Sequence, residues 1–190
     1  MPNTGNVFPG TGENIDRAGL TAWTSPTECV SDNTTDATCN ATGSDYLVAR
    51  NFNFASIPAD ATIVGVLVRV EASEHTAGTE ALLAQLQDAS AALTGASKAQ
   101  ANEGAISGTA KAVYTYGSTS DVWSATLTRA TVTNANFGVR VWFTTAHDIR
   151  IDYITMAIEY TVPATDIVPM CCYRTVRKRL VRHQKKHSLN

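Results

Sequence analysis

His183 and His187 stand four residues apart, the spacing that can turn two imidazoles toward one metal ion from a helix face. Arginines and lysines surround them, and cationic neighbours oppose a metal cation, so the pair reads as one side of a solvated basic helix. His75 and His147 lie far apart and in no ligand spacing. Asp121 and Asp152 are the carboxylates to weigh as acid or base, yet lone carboxylates around strands are normally turn or surface groups. The chain offers no nucleophile elbow, no glycine-rich phosphate loop and no Cys-x-x-Cys. A non-enzymatic protein without metal or cofactor is therefore expected.

Cys29 and Cys39 bracket a short polar loop, residues 30–38. A disulfide there is geometrically feasible and would stabilise a loop with little apolar anchoring. A reducing compartment keeps both as thiols and an oxidising one allows the bond, and the sequence leaves both outcomes open. Cys171 and Cys172 are adjacent and poorly suited to bridging each other. Asp32, Asn33 and Asp36 lack the spacing of a calcium loop and read as turn formers. The sequons at Asn33 and Asn40 carry little weight, because residues 1–10 have neither the basic nor the apolar region of a secretion signal.

Charge is distributed unevenly. Residues 1–173 hold 8 basic and 17 acidic side chains, a net of -9, whereas residues 174–190 hold seven basic and no acidic ones. In this tail Tyr173, Val176, Leu180 and Val181 recur at helical spacing, and Arg174, Arg177, Lys178, Arg179, Arg182, Lys185 and Lys186 occupy the other faces. Such a segment suits a nucleic-acid arm, a membrane-surface helix or a peg for an acidic protein groove. The stripe is short and lacks Trp and Phe, which argues against a membrane. Seven charges alone give only salt-sensitive, sequence-blind binding to nucleic acid. Docking on a partner protein is the expectation, with nucleic acid the lesser alternative.

The elements that must position these groups are mostly strands. The chain has 190 residues, 44% hydrophobic and 17% charged, which suits one globular core and excludes a coiled coil or a disordered chain. No run approaches the ~20 apolar residues of a membrane span. Period-two alternation marks residues 46–54, where Tyr46, Val48, Phe52 and Phe54 share a face, and 63–72, where Val64, Val66, Val68 and Val70 do. The second face of 63–72 turns polar toward its end, as in a strand leaving the core. Segments 81–87 and 91–99 are alanine-rich and support either strand or helix. Segments 109–116, 123–127, 137–144 and 149–162 complete a set of about eight strands, with a short turn over 145–148 and one helical turn within 128–136. The expected fold is all-β, an antiparallel two-sheet sandwich of jelly-roll type. Residues 1–45 read as an N-terminal arm and loops with one strand near 20–23, residues 46–162 as the sandwich, and residues 163–190, from Pro163 and Pro169 onward, as linker and basic tail.

Four stretches, in order, carry a resemblance. They are Phe52-Asn53-Phe54 through Ile57-Pro58-Ala59-Asp60-Ala61-Thr62-Ile63 and Gly65-Val66; Tyr116-Gly117 with Asp121-Val122-Trp123; Asn136-Phe137-Gly138-Val139-Arg140-Val141; and Ile151-Asp152-Tyr153-Ile154 with Ile158-Glu159-Tyr160. Together they span somewhat over half of the chain, which resembles a family of small β-sandwich virion proteins of tailed bacteriophages. The resemblance implies a structural rather than enzymatic duty and brings no catalytic residues with it. It implies a virion component assembled in the host bacterial cytoplasm: a head decoration, or a neck or tail part. Other virion proteins and further copies of the chain are the implied partners, with attachment through the terminal extensions that lie outside the resemblance. The alternative is a carbohydrate-binding module of a phage fibre or spike whose loops hold a host-surface sugar. Exposed aromatics would favour that, and Trp23, Trp123 and Trp142 fall mostly in strand patterns instead.

Overall fold

The computed structural model describes residues 1–75, 81–99, 106 and 108–163. Among them nine strands form two antiparallel sheets packed face to face, an all-β sandwich. One sheet has the order β1 (Thr11–Ile15), β3 (Tyr46–Arg50), β8 (Gly138–Trp142), β5 (Leu83–Gln87), β6 (Leu93–Ala99). The other has the order β2 (Ala37–Thr42), β9 (Ala146–Thr161), β4 (Thr62–Glu74), β7 (Ala112–Ser118). The alanine-rich segments 81–87 and 91–99 are thus strands, paired with each other and, through β5, with β8. Leu47, Leu86, Val139 and Val141 of one sheet meet Val66, Val68, Val70, Ile154, Met156 and Ile158 of the other in a single apolar core. Burying side chains of this size contributes roughly 1.5–3 kcal/mol each relative to exposure.

Three expectations are corrected. Residues 123–127 are not a strand: Trp123 and Ser124 take left-handed backbone angles, φ 60° and 57°. The Asp121 carboxylate accepts the Trp123 amide at 2.7 Å and closes a turn that drives the indole between the sheets. Residues 1–45 are more than an arm and loops, since they supply β1 and β2 to the two sheets, while Thr21 and Thr24 make isolated bridges rather than a strand near 20–23. Their polar sequences conceal strands held chiefly by backbone pairing. The end of β4 does not leave the core: Glu74 is fully buried and paired with the His147 ring.

Residues 2–7 lie along the edge of β9. Backbone bonds run from Thr4 to Ile158, in both directions between Val7 and Met156, and from Tyr160 to Pro2. The Asn3 amide reaches the Glu159 carboxylate at 3.0 Å. The basic tail, with Tyr173 through Lys186 and the His183–His187 pair, lies outside the described residues.

Candidate functional site

The hydrophobic phase of β9 slips between Ile151 and Ile154. Its inward residues are Ile149 and Ile151 and then Ile154, Met156 and Ile158. The slip is a β-bulge: Glu71 opposes Tyr153 and Ala72 opposes Ile151, leaving Asp152 as the extra residue. Both Asp152 and Tyr153 are thereby placed on the outer face of the four-stranded sheet. A bridge between Val30 and Tyr153 brings the 30–36 loop over the same spot.

The carboxylates of Asp32, Glu71 and Asp152 each place an oxygen within 4.8 Å of the others. Asp152 is buried. It accepts the Asn33 amide at 3.2 Å on one oxygen and the Lys111 ammonium at 2.8 Å on the other. Lys111 also reaches Asp36 at 2.8 Å and so bridges two carboxylates. Burial works against its charge, but the hydrogen bonds to Asp152 and Asp36 outweigh it and raise the ammonium pKa. Glu71 is pushed the other way for an acid: burial, then the hydrogen bond and charge of Asp152, then the charge of Asp32 raise its pKa, with Lys111 opposing. The cluster therefore holds more negative charge than its lysine neutralises.

Beside it runs a cleft of about 250 Å³ lined by Asn6, Phe8, Asp32, Arg69, Val113, Tyr153 and Thr155. Phe8 is 43% exposed and meets Tyr153 edge-on, with ring centroids 5.7 Å apart. Thr155 is 3% exposed, faces the cleft between inward-pointing Ile154 and Met156, and its hydroxyl has no hydrogen-bond partner. A second hollow, about 270 Å³ beside Asp88 and Thr131, contains one ionisable group. The Asp88 carboxylate is already bonded to the Ser90 and Ala92 amides and the Ser90 hydroxyl, so this hollow offers no comparable chemistry.

Hard oxygen donors of the Asp32–Glu71–Asp152 type suit a cation. Asp152 already has both oxygens engaged and Glu71 is hydrogen-bonded to it, which leaves exposed Asp32 as the acceptor best matched to an ammonium or a guanidinium. Among the described residues no activated nucleophile adjoins these carboxylates. Burial first of all pushes the Cys29 thiol up to about 12 and the Cys39 thiol up to about 11, so both stay protonated at neutral pH.

The expected site residues fare differently. Cys29 and Cys39 are both buried free thiols, and the disulfide that the sequence allowed is not formed. Cys29 packs beneath Gly12, and the Cys39 thiol donates to the Thr21 carbonyl at 3.7 Å. Asp121 caps its turn and pairs with Lys98 at 2.7 Å. Asp152, read from sequence as a turn or surface group, is instead the buried centre of the acidic cluster. The cluster went unread because Asp32, Glu71 and Asp152 are far apart in the chain; the phase slip of the isoleucines was the one signal that a bulge re-aims Asp152.

No protein-family model, curated protein or solved structure matches the chain.

Proposed function

We propose that this chain is a non-enzymatic structural protein of a tailed-bacteriophage virion, attached to the particle as an accessory and used in several copies. The observation that carries the reading is where the resembling residues lie. Phe52, Phe54, Ile57, Val66, Trp123, Phe137, Val139, Ile151, Ile154 and Ile158 are all buried in the core. Arg129 ties its helical turn to the Ile57 carbonyl at 2.8 Å, and the Val66 amide bonds the Asp121 carbonyl at 3.0 Å. These residues build a framework, which is what a scaffold-type protein shares with its relatives. Among the described residues the strongest polar assembly is an acidic cluster without a nucleophile, a surface suited to docking rather than turnover.

The glycan-binding alternative has less support. Trp23, Trp123 and Trp142 are 3%, 0% and 7% exposed, so no tryptophan among the described residues offers a stacking platform. Electron microscopy of virions carrying the labelled protein tests the proposal. Label at repeated positions on head, neck or tail is the expected result, and its absence from particles overturns the reading. Saturable binding of the purified protein to one sugar class would favour the alternative.

A further inference from the structure

We infer that the groove beside Phe8 and Tyr153 is the dock for the basic C-terminal segment, residues 173–186, of a second copy of this chain. The inference rests on the reading that the terminal extensions attach the protein, and it names the surface that one of them meets.

Two kinds of complementarity converge. Around the groove stand four carboxylates, Asp32, Asp36, Glu71 and Asp152, against two cations, Arg69 and Lys111. The segment carries seven basic side chains and no acidic one. A guanidinium placed on Asp32 would meet an exposed carboxylate with Glu71 and Asp152 close behind it, a charge-assisted pairing that Arg makes well. The apolar stripe Tyr173, Val176, Leu180 and Val181 also has a counterpart, the wall formed by exposed Phe8 and by Tyr153. The buried Thr155 hydroxyl is an independent sign that the groove receives something. Leaving a buried polar group unpaired is unfavourable, and this one faces the cleft without a partner.

Chain geometry favours the segment of a neighbour over the protein's own. Thr161 ends β9 eight positions beyond Tyr153, about 26 Å at a strand's rise of about 3.3 Å per residue. A relaxed chain the length of residues 162–172 spans roughly 17–20 Å. Docking in the same molecule would have to stretch that connection and turn it back, a constraint that a neighbouring copy does not have. Head-to-groove contacts of this kind are heterologous and close into rings when the rotation allows.

The test is zero-length carbodiimide crosslinking of the full chain, mixed equally as nitrogen-14 and nitrogen-15 protein and read by mass spectrometry. Links from Lys178, Lys185 or Lys186 to Asp32 or Glu71 are expected, with mixed-isotope pairs among them. They should fall severalfold at about 1 M salt, where screening acts over about 3 Å. They should fall likewise in Phe8→Ala, a change at an exposed side chain that leaves both carboxylates available to the reagent and whose folding is checked by circular dichroism. Same-isotope links alone, or tail links spread evenly over the exposed carboxylates, would overturn the inference. Particle incorporation separates the two levels. Normal incorporation of Asp32→Asn/Glu71→Gln beside failure of a tail-deleted chain would refute this dock and leave the virion reading standing.

Discussion

The indole of Trp123 lies against the bare Cα of Gly117. A Cβ at that glycine would stand 2.4 Å from the indole nitrogen and 2.3 Å from the Val66 carbonyl oxygen, the oxygen to which the same nitrogen donates at 2.9 Å. The largest fully buried side chain of the protein is thus tied to β4 across a gap that β7 leaves by omitting a side chain. Gly117 also has φ +75°, where an L side chain is strained.

Gly117→Ala is therefore expected to destabilise the protein by roughly 2–4 kcal/mol, the sum of a strained backbone and an overpacked core. Chemical denaturation should show a lower midpoint with little change in slope. Unchanged stability would mean that the indole can leave its place at small cost.

Glu71→Gln should stabilise the protein at neutral pH. The folded state raises the Glu71 pKa, so the folded protein holds that proton more tightly than the unfolded chain does. This contribution is fully present below the unfolded value and is lost as pH rises through the folded one. The glutamine, which cannot ionise, removes the loss. The gain at pH 7 is expected to be no more than about 1 kcal/mol, because the group is partly solvated. It should vanish below about pH 4, where the wild-type carboxyl is protonated in both states. Thermal melts of the two proteins across pH give the comparison, and a variant less stable at pH 7 would contradict the assignment.

Lys111→Met removes the cation that bridges Asp36 and buried Asp152. The expected cost is roughly 1–3 kcal/mol, since one carboxylate is left buried without its counter-charge. Lys111→Arg should recover part of it. Equal melting temperatures for wild type and Lys111→Met would show that Asp152 is held without its counter-charge, with the Asn33 amide sufficing.

Much of this fold was legible in the sequence, because alternation is a direct consequence of one buried face, and β4 and β9 alternate clearly over Val66, Val68, Val70 and Ile154, Met156, Ile158. The strands β1 and β2 were not. Thr-Gly-Glu-Asn-Ile and Ala-Thr-Cys-Asn-Ala-Thr carry weak alternation and owe their place to backbone pairing with β3 and β9. Trp123 was misread for a different reason: a large apolar residue in a short run suggests a strand, while its left-handed backbone depends on the Asp121 turn. The acidic cluster required tertiary register. Nothing local ties Asp32 to Glu71 and Asp152 until the 30–36 loop crosses β9.

Deleting residues 1–9 should lower the melting temperature by only a few degrees. The segment leaves Met1 and Phe8 largely exposed and is held chiefly by backbone bonds. Their net gain, about 0.5–1.5 kcal/mol each, is opposed by about 1–2 kcal/mol of backbone entropy per ordered residue. The deletion uncovers the β9 edge around Met156, Ile158 and Tyr160, so concentration-dependent light scattering should rise. A protein that unfolds outright would show that these residues hold the core together.

The most direct measurement for the whole account is the number of copies incorporated per particle by a chain ending at Cys172. The described sandwich ends at β9 before the tail begins, so circular dichroism and melting of that chain should match the full-length protein while incorporation is abolished. Normal incorporation of the shortened chain would contradict the account and shift the anchor to the N-terminal residues.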